Sequence, residues 1–379
     1  MRLNALLLAV LSFLPLAAAA RAAEEQPKPN AALCYWPVCV RFHRPAWSEA
    51  DRKIIHNPMT APLDDDTERV LRSCANYLHE MHRAAAMPHC EWQLDWSRGP
   101  DTVLLPLDFV RPLAGIFLLR ARYFLPKRQS DLAADDPADA MAMGRHLVIE
   151  GAVPGVLVQL QLHSNAVQVA ADNFDRFDRA GLALLAKRLD GLPPVQKARD
   201  EVPRSKEHLL GWLRTNLAAS GIVASREVLL RAQFEKSESE LLDELLSGTQ
   251  DEVLGRVADG EQMYDLAAEL LELPADQFDA AYSALEKEAE AAGPLTAYWL
   301  RDTRVKFMRD REVEAQAKLA MLRAALAMAA DGRGALETFP DPFGDGPFEL
   351  TRDDESFELK SKLVFDQKPV QLRFRRPLP

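Results

Sequence analysis

The stretch HCEWQLDWSRGPDTVLLPLDFVRPLAGIFLLRARYFL, residues 89–125, decides the fold because it holds the longest apolar run beyond the N-terminus. From residue 103 to 125 the apolar side chains fall on all sides of a 3.6-residue period, which is typical of a buried helix. The run is long enough to cross a membrane, but four charged residues interrupt it, and each costs about 2.5–3.5 kcal/mol at a bilayer centre. We therefore predict a central buried helix, with Pro112 either kinking it or marking its start.

Composition places the chain among globular proteins with a full hydrophobic core. It has 379 residues, of which 48% are hydrophobic and 27% charged, enough for one large or two medium domains. This composition excludes disorder as the main state. The net charge of −11 argues against nucleic acid and anionic lipid as partners.

The N-terminus predicts export. Met1 and Arg2 form a short basic start, residues 3–16 are apolar, and Ala20-Arg21-Ala22 matches a small-residue cleavage site. We assign residues 1–22 as a signal peptide and expect a periplasmic or extracellular protein with no stable membrane span after cleavage. An uncleaved anchor is the alternative; a lipid-anchored form lacks the cysteine it would need after the cleavage site.

Four cysteines, Cys34, Cys39, Cys74 and Cys90, lie in the first quarter of the chain. An even number of cysteines in an exported protein indicates disulfides, and three pairings are possible. Proximity favours Cys34 with Cys39 and Cys74 with Cys90, the second bridge adding roughly 3 kcal/mol by restricting the unfolded chain. Residues 23–63 are thus predicted as a disulfide-containing segment in which CYWPVC forms a short strand or loop.

The remaining chain predicts a mainly α protein. Residues 64–333 read as an irregular multi-helix array that begins at an acidic N-terminus near Asp64 and ends in a long helix over residues 294–331. On that last helix Glu314 and Lys318 are spaced to form an i, i+4 pair. Over residues 334–379 the apolar period changes to two, which predicts a small antiparallel β meander packed on the helices.

The histidines and cysteines offer one candidate metal cluster. His79 and His82 lie one turn apart on a predicted helix, and His89, Cys74 and Cys90 are near in sequence. Zinc accepts such ligands. The export signal, however, favours disulfides, and the spacing matches no zinc motif, so we expect no metal and surface positions for the histidines.

Calcium has two weaker candidates. Asp172, Asp175 and Asp178 fall near one helix face, where Arg176 and Arg179 would neutralise them, and calcium prefers a flexible oxygen-rich loop. The sequence DPFGDG, residues 341–346, has a better shape but matches an ordinary turn. No motif for a nucleophile, a phosphate loop or a dinucleotide is present, so we expect no catalytic residue and no cofactor.

Several segments resemble those of exported, mostly helical bacterial proteins of uncharacterised function. They are HCEWQLDWSRGPDTVLLPL, LLRARYFL, EGAVPGVLVQLQLHS, and DPFGDGPFEL with FELKSKLVFDQKPVQLRF, within residues 64–379. This resemblance implies a mostly helical fold and export from the cytoplasm. It implies no catalytic residue. The closing helix, DPFG turn and strands are also similar to the C-terminal end of type II secretion pseudopilins. The N-terminus departs from that family, since it lacks the prepilin cleavage glycine and the Phe-Thr-Leu-Ile-Glu-like start.

Two functions compete at this point. The leading hypothesis is a non-enzymatic scaffold or protein-interaction module of the cell envelope, with envelope proteins as partners. The alternative is an envelope hydrolase or small-ligand-binding enzyme whose site lies between the helices, since residues distant in sequence leave no local motif. A convergent polar cleft would favour the second hypothesis; a filled core with only solvated charges would favour the first.

Overall fold

The computed structural model describes residues 29–42, 47–149, 151–232, 239–365 and 367–375. The predicted signal peptide lies outside these residues. Within them the chain is mainly helical and ends in a small antiparallel sheet, as the sequence predicts.

Helices occupy most of the chain, and they are numbered here in order. The first seven are α1 (Ala31–Phe42), α2 (Glu49–His56), α3 (Asp65–Ala85), α4 (Leu105–Phe124), α5 (Asp136–His146), α6 (Val153–Asp172) and α7 (Arg179–Asp190). The next seven are α8 (Ala198–Lys206), α9 (Trp212–Ala232), α10 (Ser239–Leu245), α11 (Gln250–Leu270), α12 (Ala275–Ala292), α13 (Pro294–Asp302) and α14 (Val305–Asp331). The strands are β1 (Glu349–Arg352), β2 (Phe357–Phe365) and β3 (Lys368–Phe374).

Helix α4 is the buried helix predicted from the opening stretch. Its side chains from Leu113 to Leu119 are all buried, and Pro106 occupies the first turn, where proline costs least. Pro112 lies inside the helix, so the idea that it marks the start is wrong. Among the described residues, no helix is both long and apolar enough to cross a membrane.

The segment around CYWPVC is a helix, α1, which corrects the predicted strand or loop. Its buried residues follow a helical period along the face that contains Tyr35, Val38 and Phe42, while Pro37 lies on the exposed side. Pro37 removes one backbone donor, and the packed face compensates for that loss. The helix begins where the Ala31 amide donates to the His89 carbonyl over 2.9 Å.

Two hydrophobic cores share two long helices. The first core collects α1 to α7, the later part of α14 and the sheet, and the second collects α8 to α13 with the beginnings of α6 and α14. Helix α6 therefore contributes Val156 to the second core and Val167 to the first. The two cores meet along helices α6 and α14.

The predicted helix over residues 294–331 is broken into α13 and α14. Arg304 has a φ of +54°, a left-handed conformation that a continuous helix does not contain. Beyond the break α14 continues as expected, and the Lys318 ammonium donates to Glu314 over 2.7 Å. Helix α11 continues through Gly260, where an added Cβ would lie 3.0 Å from the Trp299 ring, so glycine permits this close approach.

The C-terminal meander forms as predicted. Strand β2 pairs antiparallel with β1 and β3, and its alternate residues Phe357 and Leu359 are buried. Phe374 of β3 stacks on Phe357 at 4.8 Å, and both rings meet Phe174 beyond the end of α6. The sheet thus packs on the first core rather than standing alone.

Candidate functional site

A surface groove follows helix α6 where the two cores meet. It consists of two adjoining cavities of about 390 and 570 Å³, which share Arg111, Gln161 and Asn165. We call this surface the α6 groove. Each cavity falls in the size range of small-molecule sites, and sites between packed units are common.

The smaller cavity lies between α4, α6 and the connection from α2 to α3. Its polar lining includes His56, Thr60 and Asp108. At Gly115 an added Cβ would lie 2.7 Å from Pro58, so glycine lets this connection approach α4 closely.

The larger cavity lies between α6 and α14. Its apolar lining residues are Pro154, Leu157, Val158, Leu160, Phe307 and Ala315. Its polar lining residues, besides the three shared ones, are Ser164, Arg311 and Glu314. Phe307 keeps 50% of its surface exposed, and the Arg311 guanidinium lies 5.4 Å from the centroid of its ring.

Arg111 is the cation at the junction of the two cavities. Its side chain is exposed and donates to the side-chain amide oxygen Oε1 of Gln161 over 3.2 Å. Among the described residues, no carboxylate lies within ion-pair distance of Arg111, although Asp108 precedes it by three positions on α4. Glu314, in contrast, is paired with Arg311 at 2.9 Å and Lys318 at 2.7 Å.

A second polar cluster joins α3, α4, α5 and α7. His82 Nδ1 lies 2.6 Å from Asp139 and 3.4 Å from Asp135, and Arg188 donates to the other oxygen of Asp139. Beside it, Arg120 binds both carboxylate oxygens of Asp136 at 2.9 and 2.5 Å. The three aspartates sit at the start of α5, where the helix dipole favours negative charge.

The charges in this cluster compensate one another. Burial raises the pKa of Asp139 and raises that of Asp136 to about 8, while the hydrogen bond that His82 donates to Asp139 raises the pKa of His82. Arg120 binds Asp136, Arg188 binds Asp139, and His82 contacts both Asp139 and Asp135. The cluster therefore holds four helices together through buried ion pairs.

A cation fits this cluster poorly. The ligand atoms of His82, Asp135 and Asp139 lie within 4.8 Å of one another, the one such group among the described residues. Asp139, however, already has both oxygens bound by His82 and Arg188, and a guanidinium beside a metal would repel it. We assign the cluster a structural role.

Two further histidines are buried in neutral form. His146 Nδ1 accepts the Tyr35 hydroxyl at 2.8 Å and its Nε2 donates to the Met87 carbonyl at 3.0 Å. His163 Nε2 accepts from Arg145 at 3.2 Å. Burial lowers the pKa of His146 to about 4 and that of His163 to about 3, so both are neutral at physiological pH.

The four cysteines are free thiols in this structure. Cys34 and Cys39 lie on one continuous helix, where residues five apart have Cα atoms roughly 9 Å apart, beyond the reach of a disulfide. The predicted bridge between them is therefore not formed. Cys90 lies beside the start of α1, whereas Cys74 lies in the middle of α3, and the predicted bridge between those two is not formed either.

The other sequence candidates do not converge. His79 is exposed and separate from the His82 cluster, and Asp178 caps α7 by accepting from Gly181 over 2.7 Å, beyond the end of α6. The Asp341 carboxylate in DPFGDG accepts from Ser361 and from the Lys362 amide. The predicted turn is confirmed there, and the aspartates near residue 172 do not share one helix face.

Trp92 and Trp96, four residues apart in the opening stretch, contact different parts of the protein. Trp92 is buried and donates to the His146 carbonyl, whereas Trp96 stacks on His208 at 3.8 Å. Neither lines the α6 groove.

The groove residues themselves escaped sequence analysis. Gln161, Ser164 and Asn165 form a polar stripe on the mainly apolar helix α6, and Arg111 interrupts the apolar run of α4. The polar stripe is visible in the sequence, but it lines a groove only because α14 packs beside α6. No protein-family model, curated protein or solved structure matches the chain, so its function is inferred from this geometry.

Proposed function

We propose that this protein is an exported, non-enzymatic binding protein of the cell envelope, and that the α6 groove is its recognition site. The observation that carries the proposal is the groove itself, an open cleft with an apolar floor and an Arg111 guanidinium that has no ion-pair partner among the described residues. A cleft of this kind favours binding of a defined ligand over a purely flat scaffold surface.

Binding rather than catalysis fits the polar groups of the groove. Ser164, His56 and Asp108 all line it, but no hydrogen bond joins any two of them in the part of the chain that is described. Nucleophilic catalysis requires a base within hydrogen-bond reach of the nucleophile. The convergent His82 cluster is saturated by its own arginines, which makes it a poor acid–base site.

Export is supported by the basic start, apolar stretch and small-residue site of residues 1–22. The intact mass of the protein recovered from a periplasmic fraction tests this part. A chain that begins at Ala23 is expected, and recovery of the uncleaved chain from the cytosol would contradict export.

The binding role is tested by filling the groove. Ser164→Trp places a large ring in the larger cavity, whereas Gln168→Trp, one turn further along α6, adds the same ring at an exposed position outside it. Wild type and both variants are immobilised and exposed to envelope fractions, and retained proteins and small molecules are identified by mass spectrometry. Thermal unfolding confirms that both variants fold.

A species retained by wild type and Gln168→Trp but lost by Ser164→Trp is the expected result. The proposal is overturned if all three proteins retain the same species, or if wild type retains none.

A further inference from the structure

We propose that the ligand of the α6 groove is an aliphatic monocarboxylate whose headgroup pairs with Arg111 and whose chain runs along α6 towards Phe307. This inference rests on the proposed function, since it names the chemistry that the same site would recognise.

The headgroup end is set by Arg111 and two amides. A guanidinium presents parallel N–H donors that match the two oxygens of a carboxylate. Arg111 at present uses one nitrogen on Gln161, and Asn165 lines the same junction. A carboxylate bound there would give Arg111 the ion-pair partner that no described side chain supplies.

Neighbouring carboxylates do not cancel this preference in the larger cavity. Asp108 lines only the smaller cavity. Glu314 lines the larger one, but Arg311 and Lys318 both donate to it, and the hydrogen bond from Lys318 helps to lower its pKa against the effect of burial. Among the described residues that line the larger cavity, Arg111 is therefore the charged side chain without an ion-pair partner.

The position of the ligand's hydrocarbon chain follows from the order of residues along α6. Pro154, Leu157 and Val158 come first and the polar residues follow, so the groove changes from apolar to polar over about 16 Å between residues 154 and 165. Phe307 of α14 borders this lining with half of its ring exposed. Covering these side chains with a hydrocarbon chain removes apolar surface from water.

A peptide fits the apolar end less well. Beyond their first turns, the backbone groups of α6 and α14 are bonded within their own helices, so this half of the groove offers few main-chain partners to the amides of a bound peptide. Buried amides without partners are costly, whereas an acyl chain has none. The volume of about 570 Å³ is adequate for such a chain.

Titration calorimetry on the full chain with four probes tests the inference. The probes are decanoate, decan-1-ol, decyltrimethylammonium and N-acetyl-tetraleucine, all below their aggregation concentrations. The variants are Arg111→Gln and, as a control, Arg179→Gln, which removes an exposed arginine that lines neither cavity of the groove.

Decanoate is expected to bind one molecule per chain, about tenfold or more tightly than the alcohol, the cation and the peptide. Arg111→Gln should weaken decanoate about tenfold and leave the alcohol unchanged, while Arg179→Gln changes neither. Equal binding of decanoate and the cation, tighter binding of the peptide, or an Arg111→Gln variant that binds decanoate normally would each overturn the inference. So would an absence of decanoate binding.

The two proposals fail separately. If decanoate does not bind but Ser164→Trp still loses a species captured by wild type, the ligand class is wrong and the binding role stands. If neither experiment shows a groove-dependent effect, both proposals fall.

Discussion

The hydroxyl of Tyr35 lies 2.8 Å from Nδ1 of His146, although the two residues are 111 positions apart. This contact ties α1 to the buried helix α5, and Trp92 stacks on Tyr35 while donating to the His146 carbonyl. The N-terminal segment is thus part of the first core. The Tyr35 hydroxyl adds a buried side-chain hydrogen bond to the apolar packing and backbone contacts that attach α1.

Tyr35→Phe removes only the hydroxyl and leaves a buried acceptor on His146. We expect the free energy of unfolding to fall by about 1–3 kcal/mol, the cost of an unsatisfied buried polar group. Tyr77→Phe, whose hydroxyl makes a longer bond to Arg41 at a more exposed site, should change it by less than about 0.5 kcal/mol. Urea unfolding measures both, and equal effects would contradict the role given to Tyr35.

Acid should destabilise the protein through its buried neutral histidines. A histidine whose pKa is lower in the folded state stabilises the fold above its unfolded pKa near 6.5, and this stabilisation is lost as pH falls through the folded value. For His163 the loss therefore runs from pH 6.5 towards 3 and amounts to a few kcal/mol, on the order of 1.4 per pH unit. The raised pKa of Asp136 acts in the opposite sense, so the test compares variants.

His163→Gln keeps a donor and an acceptor at the site but does not titrate. Unfolding free energies between pH 7 and 4 should fall less steeply for His163→Gln than for wild type. His79→Gln, at an exposed position, should follow wild type. Parallel curves for all three proteins would show that His163 does not carry the acid dependence.

The ion pairs at the start of α5 should be sensitive to loss of one partner. Asp139→Asn leaves Arg188 without its carboxylate partner and leaves His82 with Asp135 alone, in a site where the side chain of Asp139 is fully buried. We expect a loss of about 3–5 kcal/mol, as for other broken buried pairs. The exposed Asp131→Asn should be nearly neutral. A similar small effect at Asp139 would mean that the cluster does not hold the helices.

The cysteines can be distinguished by alkylation of the native protein. Burial raises the pKa of the Cys39 and Cys74 thiols to about 12, so both should resist a maleimide until the protein unfolds, while the half-buried Cys34 reacts first. Peptide mass spectrometry without reductant reads out each site. A peptide cross-linked between Cys34 and Cys39 would contradict the continuous helix α1.

Periodicity predicted the parts of the fold in which one face is buried along a whole element. The apolar run of α4 and the alternation around Phe357 are signals of this kind, and both elements formed. Helix α1 was missed because Pro37 and the cysteines outweighed a short helical face. The break between α13 and α14 depends on the left-handed conformation of Arg304. No glycine or proline at that position indicates the break in the sequence.

The sites could not be predicted in the same way because they join distant residues. His82 and Asp139 are 57 positions apart and Arg111 and Gln161 are 50 apart, so only helix packing brings each pair together. The sequence shows the polar stripe on α6 and the arginine on α4 but not that they face one cleft.

The most direct test of the central claim, that the α6 groove is a binding site, is photo-crosslinking from within it. Benzoylphenylalanine replaces Phe307 in the groove and, as a control, the exposed Leu184 of α7, in the protein expressed in its own cell envelope. After irradiation, a discrete adduct on the peptide that carries position 307, with none at position 184, is the expected result. No adduct at either position, or the same adducts at both, would contradict a binding function for this groove.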